Sequence, residues 1–115
     1  MIVLVCGGRD YRDHEKVFEV LDYIRANKGL DLLIHGDAWG ADYLAAMWAT
    51  RREVNALSVP AKWITHGKKA GPIRNKEMLN LKYHPDLVVA FPGGSGTANM
   101  VALARSAAIT VKEIK

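Results

Sequence analysis

Hydrophobic positions in this chain alternate between short solid runs and longer stretches with helical spacing. Ile2 to Val5 is a β-branched run ending in Cys6-Gly7-Gly8 and reads as a strand buried on both faces. Val17, Val20, Leu21 and Ile24 then recur at helical spacing, with Asp13 a good N-cap and Gly29 a stop. Leu32 to His35 is a second short strand closed by Gly36. From about Gly40 to Arg52, Ala41, Leu44, Ala45 and Trp48 share one helix face. Ala56 to Val59 reads as a third strand ended by Pro60, and Ala61 to Pro72 as a long basic loop. A helix is predicted from about Ile73 to Leu81, then a strand from Leu87 to Phe91 closed by Pro92-Gly93-Gly94. The last helix covers about Thr97 to Ala107, with Met100, Leu103, Ala104 and Ala107 on one face, and Ile109 to Ile114 reads as a final strand.

Strands separated by helices of this length form right-handed crossovers and a parallel sheet. The pattern predicts an α/β fold: a three-layer, Rossmann-like domain with a five-stranded parallel sheet in the order 3-2-1-4-5 and helices on both faces. With 115 residues, a single domain spanning 1–115 is expected. No apolar stretch approaches the roughly 20 residues that span a membrane, and the apolar N-terminal run lacks the basic flank of a signal peptide. The single cysteine, Cys6, allows no intramolecular disulfide and fits a reducing compartment.

Open parallel sheets bind ligands beyond the carboxyl ends of their strands, where strand order reverses. In this order the reversal lies between the first and fourth strands. Glycine clusters follow both: Gly7-Gly8-Arg9-Asp10 and Pro92-Gly93-Gly94-Ser95-Gly96-Thr97. In the second, the glycines admit close approach, a helix N-terminus follows, and Ser95 and Thr97 add hydroxyls; together these make a phosphate cradle. Without a ligand, the same residues make a capped glycine turn. Arg9 can clamp an anion or pair with Asp10 or Asp13.

At the second strand's tip, Gly36, Asp37 and Asp42 are candidate ligand-binding residues. One aspartate is expected to cap the helix and the other to contact a ribose or base; the sequence does not choose between them. His35 reads as a satisfied, half-buried histidine, and Trp39 as either a stacking or a packing residue. Arg74 and Asn75 follow Pro72 at a helix start, where Arg74, Lys68 and Lys69 place positive charge at the helix's positive end. A shared bound anion would resolve that conflict. No His, Cys, Asp or Glu cluster has metal-ligand spacing, so neither metal nor cofactor is expected. Walker A, G-x-G-x-x-G and nucleophile-elbow motifs are absent. The net charge of +4 is dispersed, which makes nucleic acid an unlikely ligand.

Four stretches carry a resemblance: Gly7-Gly8-Arg9-Asp10; His35-Gly36-Asp37 with Gly40-Ala41-Asp42; Ala70 to Met78; and Ala90 to Met100. Together they resemble the YspA-type (cpYpsA-related) SLOG family. That resemblance implies a Rossmann-like fold that binds a nucleotide or nucleotide-derived small molecule as a sensor or ligand-handling protein. It implies cytoplasmic proteins of bacteria or phages, often dimers or larger assemblies. Two alternatives come from the wider superfamily: a LOG-like N-glycosidic or phosphoribosyl hydrolase, with Asp37 or Asp42 as catalytic candidates, and a DprA-like DNA-associated protein. LOG enzymes carry P-G-G-x-G-T-x-x-E; here Met100 replaces the glutamate, which weakens the hydrolase alternative.

Overall fold

The computed structural model describes Met1–Lys115 throughout. The strands are β1 (Ile2–Cys6), β2 (Leu32–His35), β3 (Asn55–Ser58), β4 (Leu87–Ala90) and β5 (Thr110–Glu113). The helices are α1 (His14–Lys28), α2 (Ala41–Arg52), α3 (Trp63–His66), α4 (Ala70–Leu79) and α5 (Ser95–Ser106). All strand pairs are parallel, and the order is β3-β2-β1-β4-β5, as the alternation predicts.

Side-chain alternation along β1 divides the core. Val3 and Val5 pack with α1 and α2, through Leu21, Ile24, Ala45 and Trp48, on one face. Leu4 and Cys6 pack with α4 and α5, through Met78, Met100, Val101 and Ala104, on the other. The central strands β1 and β4 are buried on both faces; the edge strands β3 and β5 are largely exposed. The chain moves from β1 to β3 with helices on one face, then crosses to β4 and returns on the other. That reversal sets the carboxyl ends of β1 and β4 side by side.

Local signals fix both ends of α1. Asp13 caps α1, its carboxylate accepting from Lys16 N–H at 3.0 Å. Gly29 ends α1 at φ 77°. One connection crosses the chain: Asp22 accepts from Trp48 Nε1 at 2.8 Å and pairs with Arg52 at 2.9 Å, tying α1 to α2. The salt link lowers the Asp22 pKa.

The region from Ala61 to Pro72 corrects the predicted loop. Trp63–His66 is helical, Gly67–Lys69 forms a 3₁₀ turn, and α4 begins at Ala70 rather than at Ile73. Pro72 is the third residue of α4, where its missing N–H would have had no intrahelical partner. A four-residue helix is too short to show a period, which hides α3 from pattern reading. α5 likewise begins two residues before the predicted Thr97, and its buried face includes Val101, while Ala107 is exposed.

Candidate functional site

The tips of β1 and β4 are joined directly. Gly8 N–H donates to the Pro92 carbonyl at 2.9 Å, and Phe91 N–H donates to the Cys6 carbonyl at 2.9 Å. A cleft of about 470 Å³ opens over this junction, a volume typical of small-molecule sites. Its floor and walls include Gly7, Gly8, Gly94, Ser95, Gly96 and Thr97.

The glycines of the two clusters fall into two settings, crowded and open. A Cβ on Gly7 would lie 2.5 Å from the Ala41 Cβ, and one on Gly93 would lie 2.6 Å from the Gly8 nitrogen. These positions lack a side chain because other chain segments occupy the space. A Cβ on Gly94 or Gly96 would meet nothing within 4 Å. Gly94 has φ −99°, so neither crowding nor a left-handed backbone requires glycine there. The missing side chains leave open space over the first turn of α5.

That turn is uncapped. Gly94 offers no side chain to it, and the first backbone bond runs from Ala98 N–H to the Gly94 carbonyl at 3.0 Å. The N–H groups of Ser95, Gly96 and Thr97 therefore have no intrahelical partner, and they lie at the helix's positive end. Asn75 props the turn from below. Its Nδ2 donates to the Gly96 carbonyl at 3.1 Å and to Asn99 Oδ1 at 3.0 Å. Asn75 is buried and its amide hydrogens are spent inward, so it positions the turn.

Three cations border the cleft: Arg9, Lys68 and Arg74. Arg9 forms no ion pair with Asp10 or Asp13; its guanidinium lies 5.1 Å from the Trp63 ring centroid. Arg74 is half-buried; Nη1 donates to the Gly36 carbonyl and Nε to Asn75 Oδ1 at 3.1 Å, while Nη2 has no partner in the protein. Those carbonyls answer part of the charge conflict seen at the start of α4. Desolvation lowers the Arg74 pKa, an effect that nearby Asp42 opposes.

Neither aspartate caps α2, whose N-cap is Gly40 with no side-chain bond, so the expected division into a cap and a ligand contact is corrected. Asp42, in the first turn of α2, is buried, and its Oδ2 accepts from Gly36 N–H at 2.9 Å and from Ala38 N–H at 3.4 Å. Asp42 thus ties down the loop after β2. Its Oδ1 has no partner, and no polar side-chain atom in the protein is both fully buried and unpaired, so Oδ1 reaches the cleft. Burial pushes the Asp42 carboxyl up to about 6, partly offset by the backbone donor of Ala38. Asp37 is exposed, sits at φ 56°, and its side chain makes no hydrogen bond or salt bridge.

His35 is buried, and its Nδ1 accepts from Asp37 N–H at 3.0 Å; burial lowers its pKa, consistent with a neutral, satisfied ring. Gly36 is buried beneath Arg74. Trp39 is 73% exposed, so it does not pack in the core. Met100 is fully buried in the core. Cys6, under the cleft, has its thiol pushed up to about 12 by burial, which keeps it protonated and unreactive.

Among the cleft residues absent from the candidate set, Trp63 and Asn99 carry side chains suited to contacting a ligand. Asn99 lies three residues after Gly96, so helical spacing within the last motif could have found it. Trp63 was hidden in the stretch read as a loop; an aromatic residue among basic ones was its only signal. No group of three or more His, Cys, Asp or Glu is placed to hold a metal ion. No helix is long and apolar enough to cross a membrane.

The sequence profile of the YspA, cpYpsA-related SLOG family matches residues 1–66. The Gene 61 protein of Mycobacterium phage D29 is 36% identical over 118 residues, covering 95% of this chain and 92% of that protein. No solved structure matches. With more than half of its residues matched by the profile and a phage relative alike over nearly its whole length, the chain belongs to the YspA, cpYpsA-related SLOG family.

Proposed function

We propose that this protein binds a phosphate-bearing, nucleotide-derived small molecule, with the phosphate on the first turn of α5. One observation carries the reading: Gly94 and Gly96 leave unfilled space over three uncapped backbone amides. A phosphate is the size, charge and acceptor-rich partner that such a turn lacks. Arg9, Lys68 and the free Nη2 of Arg74 add positive charge around it. The open Oδ1 of Asp42 is the one buried acidic group nearby, and it suits a hydroxyl donor of the attached sugar.

Binding, rather than base release, is the better-supported role. The LOG hydrolases of the wider superfamily place a glutamate where Met100 stands here, and Met100 is sealed in the core. The test is a thermal-shift series with nucleoside monophosphates, ADP-ribose and ribose 5-phosphate, with each mixture assayed for free base. Ligand at about a hundred times its Kd would stabilise the fold by about 2.7 kcal/mol, a rise of several degrees in Tm. Free base should not accumulate, and Gly94→Val should abolish the shift while its own unliganded Tm stays close to wild type. An undiminished shift in Gly94→Val, or none with any phosphate compound, would remove the cradle from consideration.

A further inference from the structure

A second cleft, of about 350 Å³, adjoins the first and shares Arg9, Trp63 and Arg74 with it. Asp37 and Trp39 line it and not the first cleft, and they face it together with the shared Trp63. We propose that this cleft is a base subsite, flanked by the Trp39 and Trp63 indoles, in which Asp37 selects a base with adjacent N–H donors, guanine ahead of adenine. The inference rests on the phosphate reading of the larger cleft, which supplies the other end of the ligand.

The three tryptophans make the contrast plain. Trp48 is fully buried, with its ring N–H on Asp22 at 2.8 Å. Trp39 and Trp63 are 73% and 48% exposed, and neither ring N–H has a partner. Each is nevertheless backed by another side chain. Tyr43 lies beside Trp39 with ring centroids 5.6 Å apart, and the Arg9 guanidinium lies 5.1 Å from the Trp63 ring centroid. Two partly exposed indoles on one cleft, each with a side-chain neighbour, give a planar heterocycle surfaces to stack on, and base–aromatic stacking accepts any base.

Selectivity then falls to the polar side chains of the cleft, among which Asp37 is the one hydrogen-bond acceptor. Its backbone is held in the left-handed region at φ 56°, with its N–H on His35 Nδ1, although it is not glycine. Its carboxylate spends nothing on the protein itself. A carboxylate only accepts hydrogen bonds, and its two oxygens match paired donors. Guanine presents N1–H beside its exocyclic amine. Adenine presents one amine beside a ring nitrogen that also accepts and is repelled. Arg9 and Arg74, at the boundary of the two clefts, bridge this subsite to the phosphate end.

Calorimetric titration of the full chain with GMP, AMP and ribose 5-phosphate tests the inference, with Trp39→Ala and Asp37→Asn as variants. GMP should bind at least about tenfold more tightly than ribose 5-phosphate, and about fivefold or more above AMP. Trp39→Ala should bring GMP down towards ribose 5-phosphate and leave ribose 5-phosphate binding unchanged. Asp37→Asn should erase the preference for GMP over AMP. Equal affinities for GMP and ribose 5-phosphate would overturn the base subsite alone, with the phosphate site intact. A guanine preference that survives Asp37→Asn would overturn the role of Asp37. If none of the three compounds binds, the phosphate reading fails and this inference falls with it.

Discussion

The glycines after β1 and those opening α5 are alike in sequence and opposite in setting. Gly7 is a contact point: an added Cβ would lie 2.5 Å from Ala41 and 3.0 Å from Phe91. Gly94 and Gly96 face nothing within 4 Å. Glycine is needed at the first position because the fold fills the space, and at the other two the fold leaves the space empty. The first arrangement sets how closely β1, α2 and the β4 tip approach one another. The second leaves backbone amides exposed to a cleft. Composition alone cannot separate a packing glycine from a binding glycine; the neighbours across space do.

The sharpest way to break this comparison is to fill the crowded position. Gly7→Val puts a branched side chain against Ala41, which is fully buried and cannot move aside without shifting α2. Overpacking of this kind should cost about 3 kcal/mol or more, lowering Tm by about 10–20 °C. A urea or thermal melt checks it. A variant as stable as the wild type would mean that the crowding relaxes freely and that Gly7 does not differ in kind from Gly94 and Gly96.

Between these extremes lies Asp42, with one oxygen bound into the protein and one open to the cleft. Its carboxyl titrates near 3.8 in an unfolded chain and is pushed up to about 6 by burial. Between those two values the folded state binds the proton more tightly, so this group's contribution to stability falls as pH rises from about 4 to 6. A shift of this size sets a ceiling of about 3 kcal/mol on the loss. Asp42→Asn keeps an acceptor for Gly36 N–H and removes the titration. The wild-type minus variant stability, from urea midpoints at several pH values, should therefore decline across that window and flatten above it. A flat difference would show that Asp42 is better solvated than its surroundings indicate.

What the sequence made legible follows from the range of each signal. Strand runs, the Asp13 cap, the Gly29 stop and the sheet order rest on neighbours within a few residues or on general crossover rules. The apolar spacing around Met100 gave its burial correctly, against the expectation a hydrolase motif would raise. Other features depend on residues distant in the chain. Asp22 joins Trp48 and Arg52 across two helices, and nothing local to Asp22 announces it. That Asp42 braces the loop after β2 instead of capping α2 depends on its meeting the Gly36 amide, which no local pattern shows. α3, at four residues, carries no period, and it brings Trp63 to the cleft from a stretch that reads as loop.

The smallest expected change in stability is the most discriminating. Gly96 is the second residue of α5, has helical neighbours and points into open space beside the cleft. Glycine inside a helix is less favourable than an ordinary helix former by about 0.5–1 kcal/mol. Gly96→Leu should therefore hold or raise the unliganded Tm by a few degrees at most. The same side chain stands where a phosphate would approach the amides, so ribose 5-phosphate affinity should fall by about tenfold or more, a loss of at least about 1.4 kcal/mol. Gly7→Val and Gly96→Leu then move stability in opposite directions, and the second costs only binding. If Gly96→Leu binds ribose 5-phosphate as the wild type does, the empty space over α5 is surface without a ligand, and the distinction between the crowded and the open glycines is one of packing alone.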